Sequence, residues 1–484
     1  MQAFIFGLMK SRLFFLLGML ASTLAGVSQN TSTSLQWEQL NGPTPMQWIT
    51  QRFLLHQSTG QLDLSMGLET QSAVLGDYGG FYVFGLHARA SRKNKYFTSW
   101  AGCSLATGGG AGAPDGDGLM YRFQGQVDIP INSNSTLGLG YNYIDFPSGA
   151  ITSNHFSFGL QYTMPYQWEV NSHVELYSGS ISVLTGCLLF DNEDVGRSME
   201  NGVSFYNGVR FSQGITETLD LDLQLGASAI GVTDGFMDYK AGITFVPFQG
   251  KVRPLIRGQI GSGGGGAVHT GGGLSSFFGA GIRLFEHIEL SASYWDALLT
   301  EMEAPFIELA FRFPFESNLG FIHSKAKRKF DTIDLTSQEL TLIIGNRTNL
   351  AQGQDRNGLD YKPMSSIFLG AKLPVVKNIY FSGETLWAAT GGYGAYAEGM
   401  FGLYYDAARF SKYKIGINSS VVAAGGGGID VGRGTALAIG AHLQTTARNV
   451  PISFILRYKY FGQNAYNPIV IGVQIEPIFK VFKR

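Results

Sequence analysis

The sequence is poor in charge and in cysteine. Only 15% of its 484 residues are charged, well below the roughly 25% that is usual for soluble domains. Lys and Arg nearly balance Asp and Glu, and the net charge of −1 predicts no nucleic-acid partner. The two cysteines, Cys103 and Cys187, do not indicate a disulfide framework and are expected to be free thiols.

Long apolar runs are also scarce. The run at the N terminus is too short for a membrane-spanning helix, and no later segment reaches the ~18 uninterrupted apolar residues that such a helix needs. At the N terminus, Lys10 and Arg12 precede an apolar run at residues 13–27. This arrangement predicts a secretory signal peptide over residues 1–28. The polar segment that follows, residues 29–61, is interpreted as an N-terminal arm or a first strand.

Glycine and aromatic residues are abundant, with 65 Gly, 35 Phe and 22 Tyr. Mean hydropathy is +0.05, which fits neither a disordered chain nor a bundle of apolar helices. Three glycine tracts start 155 and 162 residues apart, and similar alternating text precedes each of them. Self-similarity at such a period predicts an array of supersecondary units. The tracts lie at residues 108–112, 263–266 and 425–428, and the predicted modules at about 62–215, 216–376 and 377–484.

The glycine tracts do not have the form of phosphate-binding loops. None is followed by a helical pattern or by the lysine that such a loop needs. We interpret them as tight turns or bends of a sheet, because glycine adopts backbone conformations that other residues avoid. A flexible surface loop and a close approach of two backbones are the alternatives.

Apolar and polar residues alternate with a period of two. In residues 219–225, four leucines alternate with Asp220, Asp222 and Gln224. Segments of about ten such residues, separated by turns, are typical of transmembrane β-barrels, although soluble sandwiches share the alternation. A sheet in lipid must close, because every backbone polar group needs a partner. The sequence therefore predicts an all-β transmembrane antiparallel barrel of about 18–24 strands, with residues 62–484 as a single barrel. Three small barrels, one per module, are the alternative.

Aromatic residues lie near the ends of several predicted strands, namely Tyr141, Tyr143, Phe146, Tyr458 and Tyr460. With the signal peptide and the alternation, they make the chain resemble the outer-membrane β-barrel proteins of Gram-negative bacteria, over roughly residues 62–480. A mature start at Gln29 is similar to secreted proteins of the Bacteroidota. The resemblance implies location in the outer membrane, contact with its lipid and possible outer-membrane protein partners. The chain departs from many such barrels by ending on Lys483 and Arg484.

The polar faces of the predicted strands would line or fill the barrel interior. Charges of both signs occur there, which argues against strong ion selectivity. No HExxH motif, paired His and Cys spacing or GxSxG motif is present, so no metal, cofactor or catalytic residue is predicted. The candidate lumen-facing residues are Asp63, Glu69, His87, Arg89, Arg122, Asp128, Asp220, Asp222, Arg257, Glu308, Arg312, His442, Arg457, Lys459 and Glu476.

Three functions are compatible with such a chain. A barrel of 16–18 or more strands generally leaves an aqueous lumen, which predicts a passive or weakly selective transport channel. The alternative is a structural or accessory barrel, with a plugged lumen, in an outer-membrane secretion or surface-assembly complex. The third hypothesis is an outer-membrane hydrolase that uses His87 or His442, but the expectation is that the protein is not an enzyme.

Overall fold

The computed structural model describes residues 30–42, 45–58, 62–165, 173–190, 202–231, 233, 236–265, 268, 270, 272–300, 302–317, 327–331, 336–355, 358–432, 434–447, 450–463 and 465–483. The predicted signal peptide lies outside the described residues. No helix among them is long and apolar enough to cross a bilayer. Their regular secondary structure consists of antiparallel β-strands.

The first eight strands form a closed barrel, which we call barrel one. Strand β1 pairs with β2 on one side and with β8 on the other, so the sheet has no free edge. The strands are β1 (Asn30–Leu40), β2 (Met46–Ser58), β3 (Asp63–Gly76), β4 (Tyr82–Lys93), β5 (Thr98–Gly109), β6 (Leu119–Pro130), β7 (Ser135–Asp145) and β8 (Thr152–Pro165).

The next eight strands close in the same way and form barrel two. Strand β9 pairs with both β10 and β16. The strands are β9 (His173–Leu189), β10 (Val203–Gly214), β11 (Leu219–Gly231), β12 (Met237–Phe245), β13 (Val252–Gly264), β14 (Leu274–Leu284), β15 (Ile288–Ala297) and β16 (Glu303–Ser317).

Barrel three closes where β18 pairs with both β19 and β25. Two short strands lie outside the barrels, β17 (Lys327–Asp331), which pairs with β9, and β26 (Ile478–Lys483), which pairs with β18. Strand β26 also pairs with β16 at one position, and this pairing joins the sheets of barrels two and three. The strands of barrel three are β18 (Thr336–Leu350), β19 (Met364–Val376), β20 (Ile379–Ala388), β21 (Ala397–Phe410), β22 (Tyr413–Gly425), β23 (Thr435–Ala447), β24 (Val450–Tyr460) and β25 (Ile469–Ile475).

The strand pairing corrects the prediction of a single barrel over residues 62–484. The all-β antiparallel fold and the total of 24 barrel strands agree with the sequence analysis, but the strands close in three groups of eight. The reason is that alternation specifies which side chains face inward and not which strand edges pair. At the end of each repeat, the last strand pairs with the first strand of the same repeat instead of with the next repeat.

The module boundaries are corrected as well. The barrels span residues 30–165, 173–317 and 336–475, not the predicted 62–215, 216–376 and 377–484. Residues 29–61 were predicted as an arm or one strand, yet they contain both β1 and β2. The alternation is weak there because Gln39, Gln47 and Gln51 lie on the outward face, where the other strands carry apolar side chains.

The two ends of the barrels differ in the length of their connections. At one end, the loop end, the connections of barrel one are residues 41–45, 77–81, 110–118 and 146–151. At the opposite end, the turn end, barrel three has connections as short as residues 377–378 and 411–412. All three glycine tracts lie at the loop end.

The outward face of the barrels is apolar. Along β6, Phe123, Val127 and Ile129 are 57%, 40% and 53% exposed, while Arg122 and Asp128 on the other face are buried. A soluble sandwich has the opposite distribution, with its apolar face buried and its polar face in water. The outer surface therefore has the composition that a lipid environment requires.

The barrels contact one another at the loop end. The Tyr82 hydroxyl of barrel one donates a hydrogen bond to the Ser262 carbonyl of barrel two at 2.5 Å. The ring of Phe84 stacks on Trp387 of barrel three, with 5.1 Å between the ring centroids. These contacts continue into an apolar cluster shared by barrels one and three, which comprises Phe84, Leu105, Leu119, Ile367, Trp387 and Ala389.

Glycines allow the backbones of the barrels to approach closely at this junction. A Cβ atom on Gly264 of barrel two would collide with the backbone of Gly79 in barrel one. In barrel three, Gly426 and Gly427 have φ angles of +87° and +61°, which glycine adopts at little cost in a tight turn. The tracts thus serve as turns and also as sites of backbone contact.

Substituting Gly264→Ala should destabilise the junction, because the added methyl group has no space between the two backbones. We expect the free energy of unfolding to fall by about 1–3 kcal/mol, measured by urea titration of the protein in detergent micelles. Gly258→Ala, in the same strand, is the matched control, since a Cβ there meets only the Phe278 ring at 3.9 Å. Equal stability of the two variants would refute the close inter-barrel contact.

Candidate functional site

The interior of each barrel is filled by side chains in two layers. An apolar layer lies at the loop end, and charged and polar side chains fill the interior beyond it. An eight-stranded barrel has an interior just wide enough for side chains to fill. The candidate site is therefore a set of three interior networks, one in each barrel.

Each apolar layer contains aromatic rings that contact one another. In barrel one, Trp48 and Phe81 stack with their centroids 5.6 Å apart. In barrel two, Trp295 meets Phe190 and Phe236 edge-on at 5.6 and 5.7 Å. Barrel three has a larger cluster around Tyr396 and Tyr466. These layers separate the charged interiors from the loop end.

Network one crosses the interior of barrel one. Arg122 on β6 donates to Glu38 on β1 and to Asn142 on β7, both at 2.7 Å. Arg52 on β2 donates to Glu69 on β3. Since β6 and β1 are not neighbours in the sheet, the Arg122–Glu38 pair connects separate parts of the barrel wall.

Network two has two arginines that share two carboxylates. Arg210 donates to Glu289 at 2.7 Å and also to Glu308. Arg257 donates to Glu289, and to Glu308 at 3.4 Å. Closer to the loop end, Lys240 pairs with Asp238 at 2.9 Å, so the buried charges of this barrel are also matched by opposite charges.

Network three is centred on Glu384. This carboxylate accepts hydrogen bonds from Arg347 and, at 3.3 and 3.4 Å, from Arg457, which comes from β24 on the opposite wall. Lys459 pairs with Glu398 at 2.6 Å. A buried charge without a partner would cost several kcal/mol, and these pairings avoid that cost.

The structure buries thirteen of the fifteen predicted lumen-facing residues. The other two, Asp63 and Asp220, are partly exposed because they lie at the turn-end limits of their strands. The buried residues are Glu69, His87, Arg89, Arg122, Asp128, Asp222, Arg257, Glu308, Arg312, His442, Arg457, Lys459 and Glu476.

Several central members of the networks were not predicted. Glu38 and Arg52 belong to the polar segment 29–61, which the sequence analysis interprets as an arm or a first strand. Arg347 belongs to a polar stretch without visible alternation, and Glu384 follows the outward-facing Gly383, which hides the apolar face. A search of the sequence for charged residues with an apolar residue on each side would have found few of them.

His87 does not have the geometry of a catalytic triad. The Nδ1 atom of His87 lies 2.9 Å from the Ser104 hydroxyl and 3.4 Å from the Glu69 carboxylate. A triad needs its serine and its carboxylate on opposite ring nitrogens, whereas both groups here approach the same one. His442 pairs with Asp406 at 3.1 Å. Within the described residues, no group of three or more His, Cys, Asp or Glu side chains could hold a metal ion.

One carboxyl group at the loop end is buried without a full set of partners. Asp115, in the β5–β6 connection, is 6% exposed, and its Oδ2 atom has no hydrogen-bond partner among the described residues. Burial raises the pKa of Asp115 to about 7, while backbone hydrogen bonds from Asp115 itself and Gly110 oppose the rise. The side chain lies against Gly394 of barrel three, at the junction.

No protein-family model and no curated protein sequence matches this chain. Solved structures that are similar to this chain include the outer membrane protein OpdK. OpdK of Pseudomonas aeruginosa with vanillate is 8% identical, over 94% of this chain and 98% of that chain, with a TM-score of 0.22. A BenF-like porin from Pseudomonas fluorescens is 7% identical, over 94% and 98%, also with a TM-score of 0.22.

The siderophore receptor PirA from Acinetobacter baumannii is 8% identical to this chain. The alignment covers 94% of this chain and 81% of that chain, with a TM-score of 0.29. At TM-scores below 0.5, these likenesses decide neither the function of this chain nor what it transports or binds.

Removing one charge from network three should destabilise barrel three. In Glu384→Gln, two buried guanidinium groups lose their shared carboxylate, and we expect the free energy of unfolding to fall by about 3–5 kcal/mol. Glu217→Gln, at an exposed position, should change it by less than about 0.5 kcal/mol. Urea titration in micelles measures both, and a Glu384→Gln variant as stable as the control would refute the pairing.

Asp115 should make stability depend on pH. Its pKa is about 7 in the folded protein and about 3.9 when unfolded. Between pH 4 and 7, Asp115 is therefore protonated in the folded protein but not in the unfolded chain. Protonated Asp115 contributes fully to the free energy of unfolding below about pH 4, and this contribution is lost as pH rises to 7. In Asp115→Asn, the free energy of unfolding should fall between pH 4 and pH 7 by roughly 2–4 kcal/mol less than in the wild type.

The matched control for Asp115 is Asp360→Asn, which removes an exposed loop-end carboxylate. Urea titrations of the three proteins at pH 4 to 8 compare the slopes. If the free energy of unfolding of Asp115→Asn depends on pH as it does in the wild type, the assignment of this titration to Asp115 is wrong.

Proposed function

We propose that the chain is an outer-membrane protein whose three barrels cross the lipid bilayer side by side. The outward face supports this location, because large apolar side chains are exposed on it while charges are buried inside. Strand length also supports it: apart from β25, each barrel strand has 9 to 17 residues, and a tilted transmembrane strand needs about 9–11. The predicted signal peptide would direct export.

The geometry best supports a structural role in an outer-membrane assembly. The observation that carries this proposal is the filling of all three barrels by ion-paired side chains beneath aromatic layers. Such interiors leave the barrels closed to solutes in the conformation described. The contacts at the loop end join them into one wide platform, on which partner proteins of a secretion or surface-assembly complex could dock.

Transport is the second candidate function, and the charged interiors favour it. Most of each interior is lined by polar and charged residues such as Arg122, Arg257 and Arg457, and charged residues of both signs line weakly selective pores. The aromatic layer at the loop end would then act as the gate, since its displacement would be needed to connect the interior with that side of the membrane.

Planar-bilayer recording separates the two functions. Membrane-extracted protein should first show heat-modifiable migration on a gel, as a barrel that unfolds only on boiling does. Protein in the bilayer should then produce no steady conductance if the interiors stay filled. Stepwise conductance would overturn the structural proposal in favour of transport, and failure to enter lipid would overturn both.

A conductance that appears only in Trp48→Ala would identify the aromatic layer of barrel one as a gate. Trp37→Ala, on the outward face of β1, is the control that removes an aromatic side chain from the same barrel without opening its interior.

A further inference from the structure

Surface charge at the turn end is predominantly basic. Basic side chains there outnumber acidic ones among the described exposed residues. The acidic ones are Glu217, Glu286 and Glu339, and Glu286 already pairs with Arg253 at 2.6 Å. The exposed basic residues include Arg92, Lys95, Lys251, Lys377, Arg409 and Lys412.

The loop end has the opposite charge. Among the described residues of this end outside the barrel interiors, Lys362 is the single exposed basic side chain. Acidic side chains there are exposed or partly exposed in all three barrels. They include Asp77, Asp117, Asp296, Glu303, Asp355 and Asp360. The described residues are therefore polarised along the barrel axes, although the net charge of the chain is close to zero.

The basic residues of the turn end lie beside exposed aromatic rings. The ammonium group of Lys95 is 5.5 Å from the ring of Tyr96, which is 72% exposed. Lys412 and Tyr413 repeat this arrangement in barrel three, also at 5.5 Å. In barrel two, Phe248 is 65% exposed in the same connection as Lys251. Aromatic rings favour the interface between hydrocarbon and headgroups, and lysine can extend its charge outward from it.

We propose that the turn end binds the phosphate groups of anionic glycerophospholipids and so lies against the leaflet that contains them. This inference rests on the proposed membrane location. Basic residues attract an anionic headgroup layer over about a Debye length, and the acidic loop end is repelled by it. The charges at the two ends thus bind the turn end to anionic headgroups and orient the whole molecule with its turn end toward them. A soluble acidic protein would match the lysines but would leave the exposed rings beside them unexplained.

The test uses the purified full-length protein in mixed micelles that contain phosphatidylglycerol or phosphatidylcholine. Native mass spectrometry measures the preference for bound phosphatidylglycerol. We expect the wild type to prefer the anionic lipid, and the preference to weaken as salt is added. Each of Lys95→Gln, Lys251→Gln and Lys412→Gln should reduce it by roughly fivefold, and the triple variant by on the order of a hundredfold.

Lys362→Gln is the matched control, since it removes the same charge from the loop end and should leave the preference unchanged. An unchanged preference in the triple variant, or an equal loss in Lys362→Gln, would overturn the proposal. Insertion into vesicles of phosphatidylcholine alone distinguishes a failure of the lipid-binding proposal from a failure of the proposed membrane location. Protein that inserts there without any preference for phosphatidylglycerol refutes only the headgroup surface, whereas protein that inserts in neither lipid refutes the membrane location.

Discussion

Backbone pairing between the first and eighth strands of each repeat is the constraint on which the rest of the structure depends. Once β1 pairs with β8, β9 with β16 and β18 with β25, each set of eight strands closes into a barrel. Closure satisfies the backbone groups that lipid cannot. It also fixes the diameter, and a barrel of eight strands has room inside only for its own side chains.

That narrow interior determines which inward-facing residues are tolerated. Arg122, Arg257 and Arg457 are long enough to reach across a barrel, and each finds a carboxylate from a strand that is not its neighbour. Removing two charges from water is costly even when they pair, so the networks are not an evident source of stability. Their effect is to fill each barrel with charged side chains that pair with specific partners. The closed interior therefore has one defined arrangement of side chains.

The sequence predicted which side chains face inward better than it predicted which strands pair with each other. Arg122 and Asp128 were predicted to face inward because β6 alternates strictly between apolar and polar residues. Glu38 and Arg52 were missed because glutamines on the outward face of β1 and β2 reduce the contrast. The single barrel was wrong for a different reason. Whether β8 pairs with β1 or with a strand of the next repeat leaves the alternation of both strands unchanged, so periodicity alone does not distinguish one cylinder from three.

The choice between one cylinder and three changes what the protein can do more than any single residue does. Twenty-four strands in one barrel would enclose an aqueous lumen, whereas the same strands in three barrels enclose packed side chains. The contacts at the loop end, where Gly264 approaches Gly79 and Phe84 stacks on Trp387, then hold the barrels side by side. Strands that would otherwise surround a pore instead widen the area that the three barrels cover side by side. A role that depends on such an area, with an acidic surface on one side and a basic one on the other, follows more directly from this fold than free diffusion through it.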